Sequence, residues 1–256
     1  MTTSIDVSLG QVAASLALIA VAIAVSRWRR AELEGDIAVA TIRSLVQLTA
    51  IGYAIELIFE ADTIWLVLAL LAVMVLFGAI TARARARKVP GAFWPLLIAL
   101  AAAGTATLGL VIALDIFEPT PRYLVPVGGM VIGNAMTASA VALDRLGDEV
   151  GDSRAMIEAT LSLGATAQEA AAPIVRRALR SGMIALVDST KTTGLIFFPG
   201  TMVGMLLAGA DPTDAVRLQL ILLYSLLGSV ATSALVATTL GQRSFFTPAH
   251  QLRETG

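Results

Sequence analysis

Asp188 and Lys191 lie three residues apart inside an otherwise apolar stretch. On a helix that spacing puts both side chains on one face. A carboxylate and an ammonium placed so can form an ion pair, or can pass a proton or ion along a relay. Arg43 and Gln47, four apart, share a helical face in a second apolar stretch. An ionisable residue at the centre of a membrane helix costs about 2.5–3.5 kcal/mol on insertion scales, so it usually faces the bundle interior and finds a partner. Asp188 is therefore expected to pair with Arg43 or Lys191, although Arg43 could also snorkel to the nearby interface. Asn134, deep in a third apolar stretch, is expected to hydrogen-bond across helices. Met130, Met136, Met202 and Met205 could offer thioethers to a soft ion such as Cu(I), or could simply fill apolar space. Oxygen ligands for a hard ion are sparse: Asp188, Glu56, Asn134 and backbone carbonyls freed at glycines. They do not define a metal site.

Absent residues exclude more chemistry. The chain has no Cys, which removes disulfides, thiolate metal sites and cysteine nucleophiles. Its one histidine, His250, is near the C-terminus, so neither a histidine-rich zinc site nor an intramembrane Ser–His dyad can form. A paired-aspartate site fails because Asp188 is the one clearly intramembrane aspartate. Neither of the two lysines, Lys88 and Lys191, follows a glycine as a phosphate-binding loop requires. The chain is thus expected to bind no ATP and no cofactor of its own, and to be no enzyme.

The elements that must position these residues are membrane helices. Hydrophobic residues make up 57% of the 256 and charged residues 14%; the mean hydropathy is +0.81. Globular chains carry about 25% charged residues. With a net charge of −1, nothing favours nucleic acid. A membrane helix needs about 20 apolar residues, and seven spans are expected: 8–26, 37–59, 62–80, 91–114, 123–143, 183–209 and 216–240. The flank "MTTSID" has no basic residue and no cleavage pattern follows, so the first span is read as retained. Fourteen Lys and Arg residues flank one side, in 26–30, 82–88, 145–180 and the tail, against Arg122 and Arg217 on the other. The positive-inside rule then puts the N-terminus outside and the C-terminus in the cytoplasm. The expected class is all-α: a single multi-pass domain over 1–256. The outer connections are short, and no internal repeat points to an inverted-repeat transporter.

The largest aqueous segment, about 148–182, falls on the cytoplasmic side. Ser153 is expected to cap a first short helix and Gly164 to end it. "TAQE", Thr166 to Glu169, is a capping box that starts a second. Ala170, Ala171, Ile174 and Ala178 fall on one face of it, with Glu169, Arg176, Arg177 and Arg180 opposite. Pro173 should kink it. The element reads equally as an interfacial helix near anionic lipid or as a docking element for a partner. Within the spans, Pro126 with Gly128 and Gly129, and Pro199 with Gly200, allow broken helices that could line a pathway or act as hinges. Gly129 and Gly133 could pack helices closely, within the chain or between copies.

"IRSLVQLTAIG" (42–52), "PVGGMVIGNAM" (126–136), "IEATLSLGAT" (157–166) and "GLIFFPGTMVGMLLAGADPTDA" (194–215), followed by Gln219, resemble the FetB-type ABC permeases. These are described as iron exporters related to plant aluminium-tolerance permeases. The resemblance covers about residues 40–220. It implies an inner-membrane permease, present as a homodimer, partnered by a separate ATPase subunit that holds ATP and magnesium. It makes the helix pair a coupling element, with Glu158, Gly164, Ala165, Thr166, Glu169, Arg176 and Arg177 meeting the ATPase and small residues Ala165, Ala170 and Ala171 allowing close docking. Where the family often has Met-Met-Thr-Gly-Gln after Pro-Gly, this chain has Thr201, Met202, Val203, Gly204 and Met205. Two polar side chains are thereby lost from a possible substrate path. The competing function is a self-contained ion-coupled transporter or channel that uses Asp188, Lys191 and Arg43 as its relay.

Overall fold

The computed structural model describes residues 8–61 and 63–253; the "MTTSID" flank and Asp62 of the first outer connection lie outside them. The described chain is almost wholly helical: α1 Leu9–Arg29, α2 Glu34–Ala61, α3 Ile64–Arg83, α4 Phe93–Ala113, α5 Pro121–Asp152, α6 Arg154–Ser162, α7 Ala167–Thr192, α8 Gly200–Leu207 and α9 Pro212–Arg243. Six of them, α1 to α5 and α9, are long and apolar enough to cross a membrane. The protein is a multi-pass membrane protein with a helical bundle.

The bundle is organised around α5. Its Gly128 faces Leu71 of α3 and Leu108 of α4, and a Cβ on Gly104 of α4 would lie 3.8 Å from Ile132. Ser233 of α9 donates to the Ala135 carbonyl at 3.4 Å, and a Cβ on Gly241 would lie 2.6 Å from Leu143. These registers make α3 and α9 parallel to α5, and α4 antiparallel. Two apolar clusters stack along the bundle. One, around Leu96, Leu143, Leu146, Ile157, Ile174 and Phe245, lies at the basic end. The other, around Val67, Leu108, Leu124, Val131 and Leu222, lies toward the opposite end.

The expected sixth span, 183–209, is not one helix. The Thr166 capping box starts α7, which runs without a stop through Gly182 to Thr192. Gly182 is not a boundary but a contact: a Cβ there would sit 2.6 Å from the Ala138 carbonyl oxygen and 2.8 Å from the Ala142 Cβ. The glycine lets α7 lie against α5 backbone to backbone. Residues 193–199 are then non-helical, and α8 starts from Pro199 as N-cap. Gly194 at φ +87° makes the turn, a conformation that glycine adopts freely. Residues 183–209 are therefore the end of α7, an irregular stretch and α8, and not among the six helices long and apolar enough to cross a membrane.

Two further expectations change. Pro126 does not break α5, which is one 32-residue helix. Pro126 is the sixth residue of that helix, so only one intrahelical bond is lost, close to the end where bonds are missing anyway. Ser153 occupies the junction of α5 and α6, but its side chain makes no capping bond. There the chain turns directly from one helix into the next.

Candidate functional site

At the basic end α6 and α7 form a helix–turn–helix. Gly164 takes φ +92° at the turn. The capping box is reciprocal: Glu169 N–H donates to Thr166 Oγ1 at 3.3 Å, and Thr166 N–H to Glu169 Oε2 at 2.8 Å. The bond from the Thr166 backbone, then that from its hydroxyl, holds the Glu169 carboxyl below the usual carboxylate range. A second cap comes from the tail: Ala167 N–H donates to His250 Nδ1 at 3.2 Å. Arg154 reaches back to the tail, donating to the Arg253 carbonyl at 3.4 Å. The only histidine thus caps the start of α7, a contact the sequence did not reveal.

The apolar face Ala170, Ala171, Ile174 and Ala178 is buried in the bundle's own core beside Ile157. Ala170 and Ala171 consequently cannot allow close docking of a partner. The surface offered outward is the turn: Leu163 is 90% exposed, Gly164 is exposed and Ala165 half-buried. Leu163 was missed in the sequence, where it reads as one more apolar residue in "LSLG". Its only signal is its place immediately before the turn glycine. Glu158 pairs with Arg154 along α6 at 2.9 Å. Arg177 turns inward to Glu149 of α5, at 2.6 Å, whereas Arg176 makes no hydrogen bond or ion pair among the described residues. The two neighbouring arginines therefore have different surroundings.

Arg43 and Gln47 line an open groove of about 500 Å³ between α2, α3 and α5, together with Ser44, Thr81, Met74, Met136, Gly129 and Gly133. A Cβ on Gly129 would meet Met74 Cε at 3.0 Å, but one on Gly133 would meet nothing within 4 Å. Within the chain the Gly129/Gly133 pair is a groove floor rather than a tight helix contact. Arg43 has no ion-pair partner among the described residues.

Asp188 pairs with Lys191, Nζ to Oδ1 at 2.9 Å. Arg43 lies in a different groove and does not join them. Ser189 shares a cleft with Asn134 and Thr137 of α5, and Asn134 lies thirteen residues past Pro121, about 20 Å along the helix. The pair therefore lies beside the middle part of the 32-residue α5. Asn134 itself donates to the Met130 carbonyl of its own helix at 2.9 Å. Among the described residues it makes no cross-helix bond. Beyond Lys191 the irregular stretch presents Leu195 and Ile196, 87% and 82% exposed, and leads to Pro199, Gly200, Met202 and Gly204. A Cβ on Gly200 or on Gly204 would meet nothing within 4 Å.

No group of three or more His, Cys, Asp or Glu side chains suited to a metal ion occurs among the described residues. Gln219 of α9 is buried, with its side-chain oxygen unpartnered.

The model of the Uncharacterised protein family (UPF0014) matches residues 9–246. The chain is 39% identical over 242 residues to the UPF0014 membrane protein STAR2 of Oryza sativa subsp. japonica, covering 94% of this chain and 85% of that one. It is 37% identical to Protein ALUMINUM SENSITIVE 3 of Arabidopsis thaliana, covering 94% and 88%. It is 35% identical to the "Probable iron export permease protein FetB" of Escherichia coli (strain K12), covering 94% and 93%. No solved structure matches the chain.

Proposed function

The chain belongs to the UPF0014 family, and from that membership we propose that it is the permease subunit of an inner-membrane ABC transporter. It exports iron or another metal ion, and two copies work with two copies of a separate ATPase subunit. The name of the Escherichia coli relative supports the cargo and the direction. The chain has no phosphate-binding loop of its own, so ATP and magnesium sit on the partner.

One observation carries the reading. The helix–turn–helix of α6 and α7 offers an exposed Leu163–Gly164 knob, while α7 continues without interruption to the Asp188–Lys191 pair. With the basic end in the cytoplasm, a push on the knob by a closing ATPase dimer travels along one continuous helix to the broken sixth crossing. Non-helical backbone at membrane depth persists where it is covered by protein or lines a watery cavity. Residues 193–199 and α8 therefore face a pathway between the two copies, with Pro199, Gly200, Met202 and Gly204 along it. Arg43 and Gln47 stand apart from this line, which weighs against a three-residue relay driven by an ion gradient.

The test is transport into inside-out vesicles that contain the chain and its ATPase. Iron accumulation that requires ATP supports the reading. Accumulation driven equally well by a proton gradient without the ATPase overturns it.

A further inference from the structure

Glu149 is the most buried carboxylate that the proposed function leaves unused, its side chain 9% exposed near the basic end of α5. Its two oxygens are divided between two helices. Oε1 accepts from Arg145, one turn back on α5, at 2.6 Å. Oε2 accepts from Arg177 of α7 twice, from Nη2 at 2.6 Å and from Nε at 2.7 Å. Among the described residues this is the one ion pair that joins α5 to α7. The neighbouring Asp148 pairs with Lys88 in the connection between α3 and α4, so the same end of α5 is tied on two sides.

The position of the tie matters for the coupling element. Arg177 lies eleven residues beyond Thr166, about 16 Å along α7 from the docking turn. Between them is Pro173, where α7 lacks one backbone bond. A force at the turn would bend α7 there unless the helix were held beyond the weak point. Past Arg177, α7 is held by packing alone, with Ala178 in the core and Gly182 against Ala138 and Ala142, contacts that resist sliding poorly because they have no directional bond. The charges also explain why the centre is a carboxylate. Without Glu149, Arg145 and Arg177 would face each other across the α5–α7 interface and repel.

We infer that Glu149, through Arg177, is the positioning residue that makes α5 move together with α7 when the docking turn is pushed. This inference rests on the permease reading. It separates two neighbours: Arg177 acts inside the chain through Glu149, and Arg176 remains on the outer surface.

The test uses the permease–ATPase complex in nanodiscs, with transport per ATP hydrolysed as the readout and complex assembly and thermal unfolding as controls. Glu149→Gln and Arg177→Glu are each expected to lower transport per ATP about tenfold, within the range of ordinary coupling energies, while the complex stays assembled. The charge exchange Glu149→Lys with Arg177→Glu is expected to restore most of it. Unchanged transport per ATP in the single variants, while Leu163→Glu abolishes ATPase stimulation, overturns the inference and leaves the permease reading standing. A loss that the exchange does not restore also overturns it, since the charge tie would not be the cause. If Leu163→Glu itself changes nothing, the permease reading fails and the inference fails with it.

Discussion

Single residues carry the Asp188–Lys191 ion pair and the two caps. Asp188 and Lys191 neutralise each other on the outer side of α7, and removing one leaves the other charge alone there. Both side chains are more than half exposed in the isolated chain, so the loss is set below that of a buried pair, which runs to about 3–5 kcal/mol. Asp188→Asn should lower the thermal unfolding temperature by the equivalent of about 1–2 kcal/mol, and Asp188→Asn with Lys191→Met should recover most of it; equal unfolding of all three proteins would show that the pair does not matter. The sign of the acid response follows from Glu169. Its folded carboxyl titrates below the ordinary value of 4.5 because it accepts from Thr166. Its contribution to α7 is therefore fully present above that value, and is lost as pH falls through the lowered one. Amide exchange at residues 167–170 should stay slow down to about the ordinary carboxylate pKa and quicken only in stronger acid. At neutral pH, His250→Ala should quicken exchange at Ala167 while leaving α4 and α9 unaffected; unchanged exchange there would mean that the tail does not cap α7.

At the scale of elements, the sequence was most readable where the physics is local. Thr166 and Glu169 spell the start of α7 because a capping box needs only residues three apart. Gly164 marks the turn because left-handed backbone favours glycine. What stayed hidden depended on neighbours distant in the chain. Gly182 fell at the end of the expected aqueous segment, but α5 passes so close that a Cβ there would have to displace its backbone. Pro126 read as a break, yet so near the start of α5 it removes too little to interrupt the helix. Glu149 gave no local signal, since its partner Arg177 comes from another helix twenty-eight residues on. The Gly182 contact is testable: Gly182→Leu should push α7 from α5 and destabilise the bundle by about 1–3 kcal/mol, the usual range for overpacking, seen as a fall in thermal unfolding temperature. Stability equal to wild type would mean that α7 does not pack there.

For the whole molecule, hydropathy gave the class and most of the crossings, because about 20 apolar residues in a row have few alternatives to a membrane helix. It misjudged 183–209 as one helical span because 194–209 is apolar enough to pass as helix, and hydropathy does not register that Gly194 and Pro199 redirect the backbone. The described bundle is also uneven: α3, α4, α5, α7 and α9 build the two apolar clusters, whereas α1 packs against α2 and both expose apolar side chains such as Leu18 and Tyr53. The absence of cysteine turns the central claim into a single cross-linking measurement. Leu163→Cys, labelled in native membranes with a bifunctional reagent, places the probe on the knob where the partner should dock. The account predicts one major adduct, with an ATP-binding subunit, formed from the cytoplasmic side and altered when ATP is added. No adduct with an ATP-binding protein, together with metal transport by the reconstituted chain alone, would contradict it.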